Sequence, residues 1–195
     1  MSIDLVSVRA GVAAFCLGLA ACGGGGGDAP DPSPQPPPTG NAPLPPGALA
    51  TCGLADFQST AMARINQWRA SGADCGSEGR FGPASALAWN NLLAQAATGH
   101  SQDMATLDFF SHTGSNGSTA AQRITAAGYA WRSMGENIAA GQQSVNQVVD
   151  GWIASPGHCA NLLDPGFTQV GLACVPGGAG NTYPTYWTME LARPG

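Results

Sequence analysis

Apolar positions along this chain recur at helical spacing in its first two thirds and alternate near its end, so the pattern predicts helices first and strands last. Over residues 56–71, Phe57, Ala61, Ile65 and Trp68 share one helical face, and Gly72 stops the run. A longer helix is predicted over 84–107, where Leu92, Ala96, His100 and Met104 repeat beside Leu93, Ala97 and Leu107. His100 lies within that apolar stripe and reads as a hydrogen-bonded packing residue, not a ligand. A short helix over 118–127 ends at Gly128. The next starts at the N-cap Ser144, carries Val145, Val148, Val149 and Trp152 on its apolar face, and is broken by Ser155-Pro156-Gly157. Residues 168–175 and 183–192 read as strands. In the second, Tyr186, Thr188 and Glu190 face away from Trp187, Met189 and Leu191, and Gly177-Gly178 and Asn181 suit a hairpin connection. Helices followed by strands argue for an α+β fold, not a parallel α/β sheet.

The pattern fails before residue 52. Arg9 and the apolar run 10–21 form a stretch too short to span a bilayer, as in an export signal. Its end, Leu19-Ala20-Ala21-Cys22, resembles the bacterial lipobox. That resemblance implies that residues 1–21 are a signal peptide removed just before Cys22, whose thiol carries the lipid; ordinary secretion with cleavage at an Ala-x-Ala-like site is the alternative. Several buried acyl chains, each CH₂ contributing about 0.8 kcal/mol, would hold the protein on a membrane surface. Residues 22–51 are the tether. Five consecutive glycines are followed by a Pro-rich segment from Pro30 to Pro46, with too little apolar side chain for a core. Residues 52–195 are the size of one domain.

Charge narrows the partners. The chain carries a formal net charge of −5 and has no lysine, so it lacks the basic footprint of a nucleic-acid binder. Loss of Asp4 with Arg9 leaves that charge unchanged. An acidic domain is not drawn to anionic headgroups either, so membrane attachment has to be covalent, through Cys22. Gly23 after the lipidated cysteine is not an inner-membrane retention signal, which in a Gram-negative cell points to the outer membrane. The domain itself is expected to be a monomer.

Of the six cysteines, Cys16 leaves with the signal and Cys22 is lipidated. Cys52, Cys75, Cys159 and Cys174 then suggest two disulfides in an exported domain, with three possible connectivities. Local loop closure favours Cys52–Cys75 and Cys159–Cys174.

Candidate chemistry lies in three short segments read as turns punctuated by Gly, Pro and Ser. They are Phe110-Ser111-His112, Gly135-Glu136-Asn137-Ile138 and Ser155-Pro156-Gly157-His158. The chain has only three histidines, so two of them in such segments with one of its few glutamates mark a candidate site for metal binding or acid–base chemistry. Ser111 and Ser155 each stand near a site histidine, the outline of a serine triad, but no Gly-x-Ser-x-Gly elbow is present. Trp89, Phe109, Phe110 and Trp152 read as core.

Taken together, these segments resemble the bacterial branch of the CAP superfamily (cysteine-rich secretory proteins, antigen 5 and pathogenesis-related proteins), whose domain is also called SCP. The matching stretches are Ile65-Asn66 with Arg69, Leu87-Ala88-Trp89-Asn90, residues 97–104, Phe110-Ser111-His112, and Arg123 with Gly128-Tyr129. Gly135-Glu136-Asn137-Ile138, Trp152, Ser155-Pro156-Gly157-His158, Asn161-Leu162-Leu163, Val170-Gly171-Leu172 and Tyr186-Trp187 complete the series. The resemblance implies an α-β-α sandwich, a small antiparallel sheet between helices, with the His and Glu segments lining one cleft. In animal and plant members that cleft holds two His and two Glu. By position His112, Glu136 and His158 match three of them, while the second Glu falls on Ser155; Glu190 is a candidate replacement carboxylate. The implied ligand cleft is therefore His112, Glu136, Ser155 and His158. His112 and His158 would offer two imidazoles to Zn²⁺, with Glu136 orienting a water or one His. The function implied is an extracytoplasmic binding or interaction module for a lipid or small apolar ligand. An envelope hydrolase using His112, Glu136 and His158 is the first alternative, and a surface domain with a vestigial cleft is the second.

Overall fold

The computed structural model describes residues 3–9 and 49–195. The apolar run 10–21, Cys22 and most of the proposed tether lie outside them. In chain order the elements are β1 (Ile3–Arg9), α1 (Phe57–Ser71), β2 (Ala73–Asp74), β3 (Arg80–Phe81), β4 (Ala88–Trp89) and α2 (Asn91–Leu107). Then follow α3 (Ala120–Ala126), β5 (Trp131–Ala140), α4 (Val145–Ile153), α5 (Pro156–Leu163), β6 (Gln169–Pro176) and β7 (Thr185–Pro194). A five-stranded sheet in the order β1-β5-β7-β6-β4 is antiparallel except for the short β4–β6 pair. β1, from the segment read as the signal peptide, pairs with the outer edge of β5.

Helices cover both faces, as the α-β-α expectation requires. On one face α1, α4 and α5 bring Phe57, Ile65, Val148, Trp152 and Leu162 onto Trp187, Met189 and Leu191. On the other, Leu93 and Ala96 of α2 and Ile124 of α3 pack against Met134 and Ala192, and Met104 packs with Ile138 and Tyr186. β7 is thus buried on both faces, and its alternation sorts side chains between two cores. α2 lies directly on β6 at Gly171, where an added Cβ would sit 2.1 Å from the Ala94 nitrogen. Arg69 ties α1 to the far end of α5. Its guanidinium is fully buried and donates to the carbonyls of Ser85, Leu162, Asp164 and Phe167.

Three expectations need correction. The second helix starts at Asn91 rather than near residue 84, because Asn90 caps it by accepting from Leu92 and Leu93 N–H, and Ala88–Trp89 is drawn into the sheet by β6. Ser155-Pro156-Gly157 does not simply end a helix. Pro156 occupies the first turn of α5, where its missing N–H costs nothing, so His158 is helical. The disulfides are Cys52–Cys174 and Cys75–Cys159, not the local pairs Cys52–Cys75 and Cys159–Cys174. The chain at residues 50–52 runs beside β6, with Cys52 N–H donating to Cys174 O and Cys174 N–H to Ala50 O. Cys75 lies against α5, which carries Cys159. Once formed, such long closures remove more entropy from the unfolded chain than the local pairs would.

Candidate functional site

Glu136 lies in the middle of β5, not in a turn, and its side chain points to the α2–α3 face together with Met134 and Ile138. Gly135 is there for packing: a Cβ would meet the Asn161 side chain at 2.3 Å. The Glu136 carboxylate is fully buried. One oxygen is 2.6 Å from His112 Nδ1, and the other accepts from Arg123 Nη2 at 2.6 Å. Arg123 also donates to the carbonyls of Ser118 and His112, which fixes the loop that delivers the imidazole. The capping box of Thr119 and Gln122 starts α3 so that Arg123 reaches this point.

Burial alone would push the Glu136 carboxyl up. The His112 hydrogen bond and the Arg123 charge outweigh it, helped by His100 and Glu190, and hold the group well below the usual carboxylate range. Glu136 is therefore an acceptor, and His112 Nδ1 carries the proton between them. In neutral His112 the lone pair then resides on Nε2, a nitrogen with no hydrogen-bonding partner among the described residues. Beside this pair is a cavity of about 290 Å³ lined by His112, Thr113, Thr119, Ala120, Ala121, Met134 and Glu136.

His158 is on α5, with Nδ1 2.7 Å from Ser155 Oγ. Its carbonyl accepts from Asn137, whose side chain points to the opposite face of β5 from Glu136. Asn161 bonds both Asn137 Oδ1 and the Glu136 carbonyl. The described contacts thus form two pairs, His112–Glu136 and Ser155–His158, linked through Asn137 and Asn161. Both Nδ1 atoms are engaged. Among the described residues no three His, Cys, Asp or Glu side chains are grouped to hold a metal ion. A zinc ion held by three or four protein ligands does not fit this donor set. Ser111 Oγ accepts from Thr113 N–H and makes no bond to a site imidazole.

Two residues join the site from outside those segments. Glu190 lies opposite Glu136 in the β5–β7 register and is fully buried. Its alternation in β7 was legible in the sequence; its partner was not. His100, read as packing, is indeed buried and donates Nε2–H to Ser111 O at 2.9 Å, so it also shapes the His112 loop. Burial lowers its pKa to about 4, with Glu136 pulling the other way. A proton added at Nδ1 would find no partner among the described residues. Since the folded value lies below the unfolded one of about 6.5, stability is lost as pH falls from about 6.5 towards 4, by up to about 3 kcal/mol. In urea unfolding across that window, His100→Gln should lose markedly less stability than the unchanged chain.

Helices on both faces of a short, mainly antiparallel sheet, with a buried Glu–His pair formed by strand β5 and the loop between α2 and α3, define an SCP-type domain. The match of residues 62–191 to the CAP (cysteine-rich secretory protein family) model places the chain in that family. Uncharacterized protein YkwD of Bacillus subtilis (strain 168) is 34% identical over 102 residues, 52% of this chain and 37% of YkwD. Uncharacterized membrane protein YlbC of the same organism is 33% identical over 86 residues, 44% of this chain and 25% of YlbC. This chain therefore matches well under half the length of either. Among solved structures, an extracellular SCP-domain protein from Bacillus anthracis aligns with TM-score 0.54 and 25% identity, over 78% of this chain and 45% of that one. An outer surface protein from Borrelia burgdorferi shares the fold at TM-score 0.52 and 20% identity, over 57% of this chain and 80% of its own.

Proposed function

We propose that this protein is an exported binding module, lipid-anchored through Cys22 on its Gly/Pro-rich tether, whose cavity takes a small apolar molecule ending in a hydroxyl group. Export is supported by the two disulfides and by the B. anthracis relative, which is described as extracellular. The observation that carries the ligand reading is the cavity of about 290 Å³ beside His112. Ala120, Ala121 and Met134 give it apolar walls, and His112 lines it too, with a buried Nε2 that has no hydrogen-bonding partner among the described residues. A hydroxyl donates to that lone pair at no charge cost. A carboxylate would be brought beside the Glu136 charge.

The chain purified without detergent and extracted with organic solvent should yield an apolar alcohol by mass spectrometry. Ala121→Trp, which fills the cavity from a partly exposed position, should yield none; equal recovery from both would remove the cavity as the site. A second reading is favoured by one observation, the carboxylate-oriented imidazole, the arrangement of a general base. As an envelope hydrolase the chain would turn over substrate, and His112→Ala would abolish turnover with the fold intact.

A further inference from the structure

We infer that Glu190 is the proton-bearing member of a carboxyl pair with Glu136 and the positioning residue of His112. Residues directly opposite on neighbouring antiparallel strands share a face, with Cβ atoms about 4.5–5.5 Å apart. Glu136 and Glu190 are such a pair, and both are fully buried. Two ionised carboxylates accept only, so no hydrogen bond can form between them unless one keeps a proton.

The surroundings decide which one. From β6, Glu190 faces Gly171, which brings no side chain. From α2 comes His100, whose Nε2–H is spent on Ser111 O. From α3 comes Arg123, whose Nη groups are spent on Ser118 O, His112 O and Glu136, while its buried Nε–H makes no hydrogen bond to either Glu190 oxygen. His112 spends Nδ1–H on Glu136. Neither Glu190 oxygen has a donor among the described residues. Ionised, Glu190 would be a buried charge with no hydrogen-bond donor, beside the ionised Glu136; protonated, its O–H has the Glu136 carboxylate as acceptor. Glu136 keeps the charge because two nitrogen donors already hold it. Burial, then the Glu136 charge and hydrogen bond, push the Glu190 carboxyl well above its usual range against the pull of Arg123.

The consequence is positional. A third donor on Glu136 holds that carboxylate as acceptor of His112 Nδ1–H and keeps the lone pair on Nε2. The inference rests on reading His112–Glu136 as the site, but its test needs no ligand.

Folding constants of Glu190→Gln and the unchanged chain are compared by urea unfolding from roughly pH 5 to 8. Glu190 titrates in the unfolded chain near 4.3 and higher when folded, so folding takes up a proton at this group and its own contribution to stability falls as pH rises, opposite in sign to that of His100. The amide does not titrate, and His100 is common to both. The ratio, variant over unchanged chain, should therefore rise about tenfold per pH unit up to the folded titration of Glu190. A constant ratio overturns the proposal.

Carboxyl ¹³C NMR of the unchanged chain gives an independent reading. One glutamate resonance should keep the neutral-acid position to a higher pH than the others; all glutamates ionising together in the ordinary carboxylate range would also overturn the proposal. For positioning, ¹⁵N shifts should show His112 with its proton on Nδ1 in Glu190→Gln, whose amide still donates, and mixed tautomers in Glu190→Val. Identical shifts in both variants would remove the positioning role.

Discussion

Arg69→Met should be among the most destabilising single changes in this chain, at about 3–5 kcal/mol. The methionine fills much of the volume but leaves the carbonyls of Ser85, Leu162, Asp164 and Phe167 without their donor, and the bonds to Leu162 and Phe167 are buried. Two of them belong to the end of α5, where carbonyls have no helical partner and a cation is favoured. Arg69→Lys should rescue little, since one ammonium cannot reproduce a planar fork reaching four acceptors. Arg64→Met is the control. Its ion pair with Asp150 is a quarter to two-fifths exposed and should cost about 1 kcal/mol or less. Urea midpoints of the three variants check the order.

Glu136→Leu should be comparably costly, about 3–5 kcal/mol, because Arg123 loses the counter-charge that justified its burial and His112 loses its anchor. Apolar replacement of a whole buried pair is often tolerated where removal of one member is not. Glu136→Leu with Arg123→Met should therefore recover much of the stability. It should recover none of the ligand recovered by extraction, because the imidazole is still unanchored. Stability and binding would then separate, which a purely structural ion pair would not produce. If the double variant retains the ligand, the His112–Glu136 bond is dispensable and the site lies elsewhere.

Much of this was legible before any coordinates, and the failures have physical causes. Ser144 caps α4 as its position before an apolar run predicts, and the alternation at 183–192 sorted Trp187, Met189 and Leu191 correctly into one core. Gly135 misled, because a glycine beside Glu and Asn reads as a turn when it is there to admit Asn161 against β5. Pro156 misled because a helix start and a helix stop look alike when two helices nearly abut. The disulfides depended on which distant segments meet, and loop closure along the chain carries no such information. Glu190 was visible as a polar residue on a strand, but only the register with β5 pairs it with Glu136. The site was thus half readable: His112, Glu136 and His158 stood out together, and the structure pairs His112 with Glu136 and His158 with Ser155. Of the groups that set its charge state, Arg123 came from α3 and Glu190 from the neighbouring strand.

The central claim is that His112, beside an apolar cavity, keeps an unpartnered lone pair on Nε2 that a hydroxyl ligand engages. ¹⁵N NMR of the chain, labelled at histidine and titrated with 1-octanol and separately with octanoate, tests this most directly. The account predicts a His112 ring with its proton on Nδ1, an Nε2 resonance that moves saturably with octanol, and no response to octanoate. A proton resident on Nε2, or an Nε2 resonance indifferent to octanol, would contradict it.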